Sequence, residues 1–334
     1  MTTPVKLAIK LALPAILLAT AGVQTAMAAE AVLRTQTALP RQHDLSKSFL
    51  KHFVEKLNAA GKGVVRIDYI GGPEVTPANK AADALKRGVF DLLHTPAAYH
   101  VGIVPQGMAL MPTNQTPQEY RAAGAMKVLE PHWQQKLNAN ILAIGETGAQ
   151  FHLYTVKEPV VKDGKLDLKG FKLRTTGAYR PLILALGATP VQIAAGEVYT
   201  GLQRGVVDGF GWPTVGLHAL GLDKVAKFRI DPPFYHLANL VLVNQDKWKT
   251  LSKEAQAIVT KVSAQYEQDS IKEMQDGAKA DTEAVQKEGV KIFKLEGDVA
   301  KAYLKAAYEA MWKRAGQRIP AEELKVLRSK LYKE

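Results

Sequence analysis

Two stretches of this chain repeat one joint: LKRGVFD from Leu85 to Asp91 and LQRGVVD from Leu202 to Asp208. Each reads as the last turn of a helix closing on an Arg, a Gly for the left-handed cap, and an apolar strand opening toward an acid. The same helix–Gly–strand unit in both halves of the chain predicts two α/β lobes on one plan. A cleft between such lobes suits a small molecule. Coincidence is the competing reading, because joints of this kind are common.

The elements around the first copy support an open α/β sheet. Ala31 to Thr37 reads as a strand, and Leu45 to Ala60 as an amphipathic helix with Leu45, Phe49, Phe53 and Leu57 on one face. Val64 to Ile70 is the next strand, a helix runs from about Pro77 to Arg87, and Val89 to His94 is a buried strand. Function in such a sheet sits at the loops beyond the strand ends.

In the second half Ile141–Gly145, Phe151–Val156, Phe171–Thr175 and Val206–Phe210 read as strands. Gly177 to Leu186 and Glu197 to Arg204 read as helices, and Leu237 to Asn244 as a strand returning to the first lobe. Ser252 then caps a helical run with one apolar face (Ala255, Val259, Val262, Tyr266 and Met274) that continues until Gly289. A helix of that length exceeds about 50 Å and is expected to lie across both lobes.

Lys6 and Lys10, an apolar run from Leu11 to Ala21, and Ala26-Met27-Ala28 follow the order of a secretory signal cleaved after Ala28. The run is short and interrupted by Pro14, so it makes a poor membrane span. An exported protein, most simply periplasmic, is expected. The lobes then comprise residues 29–150 with 238–268, and 151–237 with 269–334.

The formal charge is +12, and removing Lys6 and Lys10 with the leader lowers it to +10, 42 basic against 32 acidic residues. A positive field favours anionic partners. The basic residues are spread along the chain without interleaved stacking aromatics, which argues against nucleic acid.

The segment from Asp167 to Pro213 reads DLKGFKLRTTG, then a helix, then GATPV, then GEVYTGLQRGVVDGFGWP. It resembles the substrate-binding proteins of tripartite ATP-independent periplasmic (TRAP) transporters, the DctP family, nearer the keto-acid and monocarboxylate-binding branch. The first-lobe run IDYIGGPEVTPANKAADALKRGVFDLLHTPAAY is similar to the same family. The resemblance implies a two-lobed extracytoplasmic receptor of type II-like periplasmic-binding fold, with mixed sheets and a long helix spanning both lobes. Such a receptor closes on an organic acid and delivers it to a membrane permease.

Arg174 is the leading site residue. It ends a strand in which Phe171, Leu173 and Thr175 alternate, where its planar fork can meet a carboxylate with two parallel hydrogen bonds. Without that context such an Arg pairs with a surface acid such as Asp167; in the family the motif's Arg binds the substrate carboxylate. Trp212, in GFGWP, offers an apolar wall and an indole donor, or packs in the core.

The residue before it is Gly211, where the keto-acid branch often carries an acid that helps bind a cation. No metal and no cofactor are therefore expected. His94, Thr95 and Tyr99 lie past the first-copy strand, and Gln150 matches a family position that usually faces ligand. Tyr235 is expected to line the site, whereas Tyr179, Phe234 and His236 are expected to pack. Glu74 is a weak candidate that reads equally well as a solvated loop acid.

Catalysis finds little support. There is no Cys and no Ser between Ser48 and Ser252, hence no thiol nucleophile and no G-x-S-x-G elbow. No H-E-x-x-H or Walker spacing occurs. A carboxylate pair acting as acid and base, or a sensor module serving a receptor kinase, are the alternatives to a monomeric transport receptor.

Overall fold

The computed structural model describes residues 1–3 and 29–333. The leader expected over 1–28 lies outside the described residues apart from its first three. The strands are β1 (Ala31–Thr37), β2 (Val65–Gly71), β3 (Leu92–Pro96), β4 (Ala139–Gly145), β5 (Gln150–Thr155), β6 (Val160–Lys162) and β7 (Lys165–Asp167). They continue with β8 (Lys172–Arg174), β9 (Thr189–Val191), β10 (Gly209–Pro213), β11 (Phe228–His236), β12 (Asn239–Asn244) and β13 (Lys291–Lys294).

One sheet has the order β2-β1-β3-β12-β4 and another β13-β11-β5-β10-β8-β9, with β6 and β7 as a separate pair. In the first sheet β12 runs antiparallel to both neighbours while β1 is parallel to β2 and β3. The second is likewise mixed.

The repeated joint is one structure used twice. Gly88 and Gly205 carry φ values of +70° and +67°, the left-handed turn that a side chain would disfavour. Asp91 then accepts the backbone N–H of Arg34 at 2.8 Å, and Asp208 accepts that of Lys172 at 2.9 Å. In each sheet the acid therefore clamps the strand beside its own. Val89 and Val206 stay exposed, so the ladders open at Leu92 and Gly209 rather than directly after the Gly.

The chain crosses between the sheets from β4 to β5, from β11 to β12, and along the helix Lys253–Lys287. Ser252 caps that helix by accepting the Ala255 N–H at 3.1 Å, and Gly289 (φ +87°) follows its end. At 35 residues it is about 52 Å long. Its apolar face changes partners along the way. Val259, Val262 and Tyr266 pack with Phe49, Phe53 and Leu33, Met274 with Leu45 and Leu237, and Val285 with Tyr154 and Trp212. The helix thus belongs to both cores.

The sequence reading holds no strand over β11 (Phe228–His236), since Pro232 and Pro233 interrupt it and its register on β5 shifts across them. The helix Ala321–Leu331, grouped by sequence with 151–237, packs on Pro105–Leu110. Thr113 donates to the Leu331 carbonyl at 2.6 Å and Gln115 to that of Lys330 at 3.1 Å, tying this terminus to the first half of the chain. No helix among the described residues is long and apolar enough to cross a membrane.

Candidate functional site

A cavity of about 380 Å³ lies where the two sheets face each other. Leu39, His43, Leu45 and Tyr99 enter it from the first-lobe side, and Phe151, Arg174, Tyr179 and Trp212 from the second. A larger groove of about 730 Å³ between the helices Arg180–Ala185 and Gly297–Gly316 is open to solvent and draws no wall from the first sheet.

Strand β8 carries Arg174 to the end of the second sheet, paired with Phe210 on one side and Val191 on the other. The residue is 6% exposed. Its Nε donates to the Ile193 carbonyl at 3.2 Å and its Nη1 to the Tyr179 hydroxyl at 2.9 Å. Its Cζ stands 5.5 Å from the centre of the Trp212 ring. All these partners are neutral, and no carboxylate pairs with Arg174 among the described residues.

A guanidinium keeps its charge at any ordinary pH, and leaving water without a counter-ion is costly. Two of its five N–H groups are used to hold the fork in place. A buried guanidinium with only neutral partners is chemically suited to an anion.

Tyr179 is held in turn. Its hydroxyl donates to the Gly211 carbonyl at 2.8 Å, and a Cβ on Gly211 would stand 2.4 Å from its ring. Gly211 is where Tyr179 packs against β10. Burial raises the Tyr179 hydroxyl pKa, and the charge of Arg174 opposes the shift. Tyr99 is raised for the same reason and pulled back by the same cation, although its residue is 43% exposed. Among the described residues no group of three or more His, Asp or Glu side chains is placed to hold a metal ion.

The imidazoles at the cavity are neutral donors and acceptors. His43 precedes the helix Asp44–Phe49, and its Nδ1 accepts the Leu45 N–H at 3.2 Å, which leaves the ring proton on Nε2. Burial lowers its pKa, with Asp44 opposing. His236 has its Nδ1 at 2.7 Å from the Thr147 carbonyl, and burial lowers its pKa too.

Of the residues singled out by sequence, Arg174, Trp212 and Tyr99 line the cavity. Gln150 stands behind it, its Nε2 at 3.4 Å from Nε2 of His236. Thr95 is buried in β3, its hydroxyl turned to the Pro96 carbonyl at 3.4 Å. His94 stacks on Phe49 with ring centres 4.5 Å apart and meets Glu146 at 3.1 Å.

That carboxylate also accepts from Asn239 at 3.0 Å and from the Tyr266 hydroxyl, and the Glu146 N–H donates to Ser270 at 3.1 Å. Glu146 lies on the β4–β5 crossing, Asn239 follows the β11–β12 crossing, and Tyr266 and Ser270 sit on the long helix. His94 therefore belongs to a buried knot that ties all the crossings together.

Tyr235, expected in the site, is fully buried against Phe234 and donates its hydroxyl to the Ala307 carbonyl. Its place is taken by the next residue, His236, and by Tyr179. Glu74 caps its own loop, accepting the Gly72 N–H at 2.6 Å. His43 and Phe151 were missed. The only sequence signal for His43 was its place before Asp44-Leu45-Ser46, where a side chain can cap a helix.

Residues 36–318 match the family model for bacterial extracellular solute-binding proteins, family 7, named DctP. The chain is 31% identical over 212 residues to the monocarboxylate 2-oxoacid-binding periplasmic protein all3028 of Nostoc sp.. That match covers 59% of this chain and 55% of the relative, so it spans little more than half of that protein's length. The ectoine-binding periplasmic protein TeaA of Halomonas elongata is 31% identical over 105 residues, 31% of either chain.

Among solved structures, a TRAP periplasmic solute-binding protein from Desulfovibrio salexigens with bound orotic acid superposes with a TM-score of 0.76 at 19% identity, covering 90% of this chain and 97% of that one. One from Roseobacter denitrificans with bound 3-deoxy-D-manno-oct-2-ulosonic acid gives 0.74 at 20% identity, covering 90% and 99%. These establish the fold. With a family model spanning both sheets and a cleft of this build, the chain belongs to the DctP family, the bacterial extracellular solute-binding proteins of family 7, which are binding proteins rather than enzymes.

Proposed function

We propose that this chain is the periplasmic receptor of a TRAP transporter that captures a monocarboxylate and passes it to an ion-gradient-driven permease. The observation that carries the reading is Arg174: a buried guanidinium, oriented by Tyr179 and Ile193, with no acid beside it among the described residues. The carboxylate completes its hydrogen bonding and neutralises its charge in one step. No other Lys or Arg lines the cavity among the described residues, which favours an acid with one carboxylate over one with two. The ligand class in the name of the Nostoc relative, a monocarboxylate 2-oxoacid, agrees with that count.

Ligand contacts drawn from both sheets stabilise the closed arrangement over the open one. The bodies that move are 29–150 with 238–268, joined by the terminal helix Ala321–Leu331 that is bonded to it, and 151–237 with the residues from 269 up to that helix, hinged where the chain crosses. Export under the 1–28 leader places the receptor in the periplasm. The test is calorimetry and thermal shift over a panel of organic acids, sugars and amino acids on the leaderless protein. A ligand at 100 times its dissociation constant adds about 2.7 kcal/mol of stability. Acids alone are expected to shift the melting temperature; shifts confined to neutral sugars or amino acids would refute the reading.

A further inference from the structure

We infer that the body of the ligand is hydrocarbon: this site takes an aromatic or branched aliphatic monocarboxylate and rejects polyhydroxylated sugar acids and dicarboxylates. The inference rests on the reading of Arg174 as the seat of the carboxylate.

The walls carry the argument. Away from Arg174 the cavity is bounded by Leu39, Leu45, Met111, Phe151, Trp212 and Leu237. The polar groups among them are mostly committed to the protein. The Tyr179 hydroxyl accepts from Arg174 and donates to Gly211. The Thr176 hydroxyl oxygen accepts the Ala178 N–H at 3.2 Å. His236 spends Nδ1 on the Thr147 carbonyl, and its Nε2 faces Gln150.

What remains to read a polar substituent is three groups, the Nε2–H of His43, the Tyr99 hydroxyl and the Trp212 indole N–H, fewer than the hydroxyls of a sugar acid. A sugar acid brings several hydroxyls into such a cavity, and each one left without a partner costs about tenfold in affinity. A second carboxylate fares worse, because the cavity holds no second cation among the described residues. Hydrocarbon gains instead, about fourfold in affinity for each buried methylene. The site's chemistry therefore differs from that of a cleft built around a ring of hydroxyls.

The experiment compares acetate, 3-methylbutanoate, 4-methyl-2-oxopentanoate, benzoate and phenylacetate with galacturonate and succinate by calorimetry on the leaderless protein and on Arg174→Ala. Affinity is expected to rise with hydrocarbon size, with the best hydrocarbon acid at least 100-fold tighter than galacturonate or succinate. Phe151→Ala should weaken the phenyl acids more than acetate. Galacturonate or succinate binding tightest, and losing that affinity in Arg174→Ala, would overturn the hydrocarbon assignment and leave the carboxylate reading standing. Unchanged affinity in Arg174→Ala, or no acid binding at all, would overturn both.

Discussion

Arg174 is aimed by Tyr179. The guanidinium donates from Nη1 to the phenol at 2.9 Å, and the phenol hands its own proton to the Gly211 carbonyl at 2.8 Å. The chain of bonds runs from the cation through one side chain to the backbone of β10. A flexible cation becomes a fixed one before any ligand arrives, which reduces the ordering cost of binding.

Replacing the cation tests the site directly. Arg174→Ala should fold normally and lose about 100-fold or more in ligand affinity, roughly 3 kcal/mol for a charge-assisted pair. Arg174→Lys should recover little, because an ammonium cannot serve Ile193, Tyr179 and a carboxylate in one plane. Calorimetry with the best acid of the panel decides both.

Tyr179→Phe removes the phenol and leaves the ring. The expected loss is about 1 kcal/mol, or five- to tenfold in affinity, with little change in melting temperature. An affinity equal to wild type would show that Ile193 and Trp212 suffice to orient the cation.

Gly211→Ala asks whether the space is needed. The added methyl would stand 2.4 Å from the Tyr179 ring, so the ring must move and take the hydroxyl from Arg174. Overpacking of this kind costs about 1–3 kcal/mol. Both the melting temperature and the affinity should fall, unlike in Tyr179→Phe, where only affinity does.

Glu146→Ala probes the knot at the crossings. It strands the Tyr266 hydroxyl and the Asn239 amide in the interior, which should cost at least about 2 kcal/mol in chemical denaturation. Glu146→Gln keeps an acceptor oxygen and should lose less. Equal stability of all three proteins would contradict a structural role for this carboxylate.

Acid should weaken the fold through its buried imidazoles. Burial lowers His100 and His152 to about 4 from the ordinary 6.5. His100 is fixed as an acceptor of the Trp133 indole N–H at 2.9 Å, and protonation would break that bond. The unfolded chain binds these protons first, so the contribution is complete above pH 6.5 and is lost as pH falls from 6.5 toward 4. Each group accounts for roughly 3 kcal/mol at most. A melting temperature flat between pH 7 and pH 4.5 would count against it.

Local signals carried far in this chain. Helix ends marked by Gly88, Gly205 and Gly289, the Ser252 cap and the apolar faces are interactions between near neighbours, and they were readable before any contact was known. Arg174 was singled out because its motif resembles that of the DctP family, in which the Arg holds the carboxylate, and Trp212 because it follows in the same segment; a strand end alone leaves a surface ion pair or core packing as the competing reading. The first-lobe strand ends later than its sequence reading at His94: β3 runs on to Pro96, so His94 and Thr95 are paired into the sheet by β12, while Tyr99, also singled out by sequence, reaches the cavity.

Tertiary structure alone decided the rest. Whether Tyr235 or His236 faces the cleft depends on how β11 meets β5 across a register shift, and periodicity cannot register that. That Arg174 lacks an acid partner among the described residues is a fact about what folding leaves around it. Sequence therefore determined most of the elements, because those follow from chemistry within a few residues, and pointed to the cation through the family-like motif that carries it. Only packing between distant strands determined which side chains share the cavity, because a one-residue slip in register sends a side chain to the opposite face.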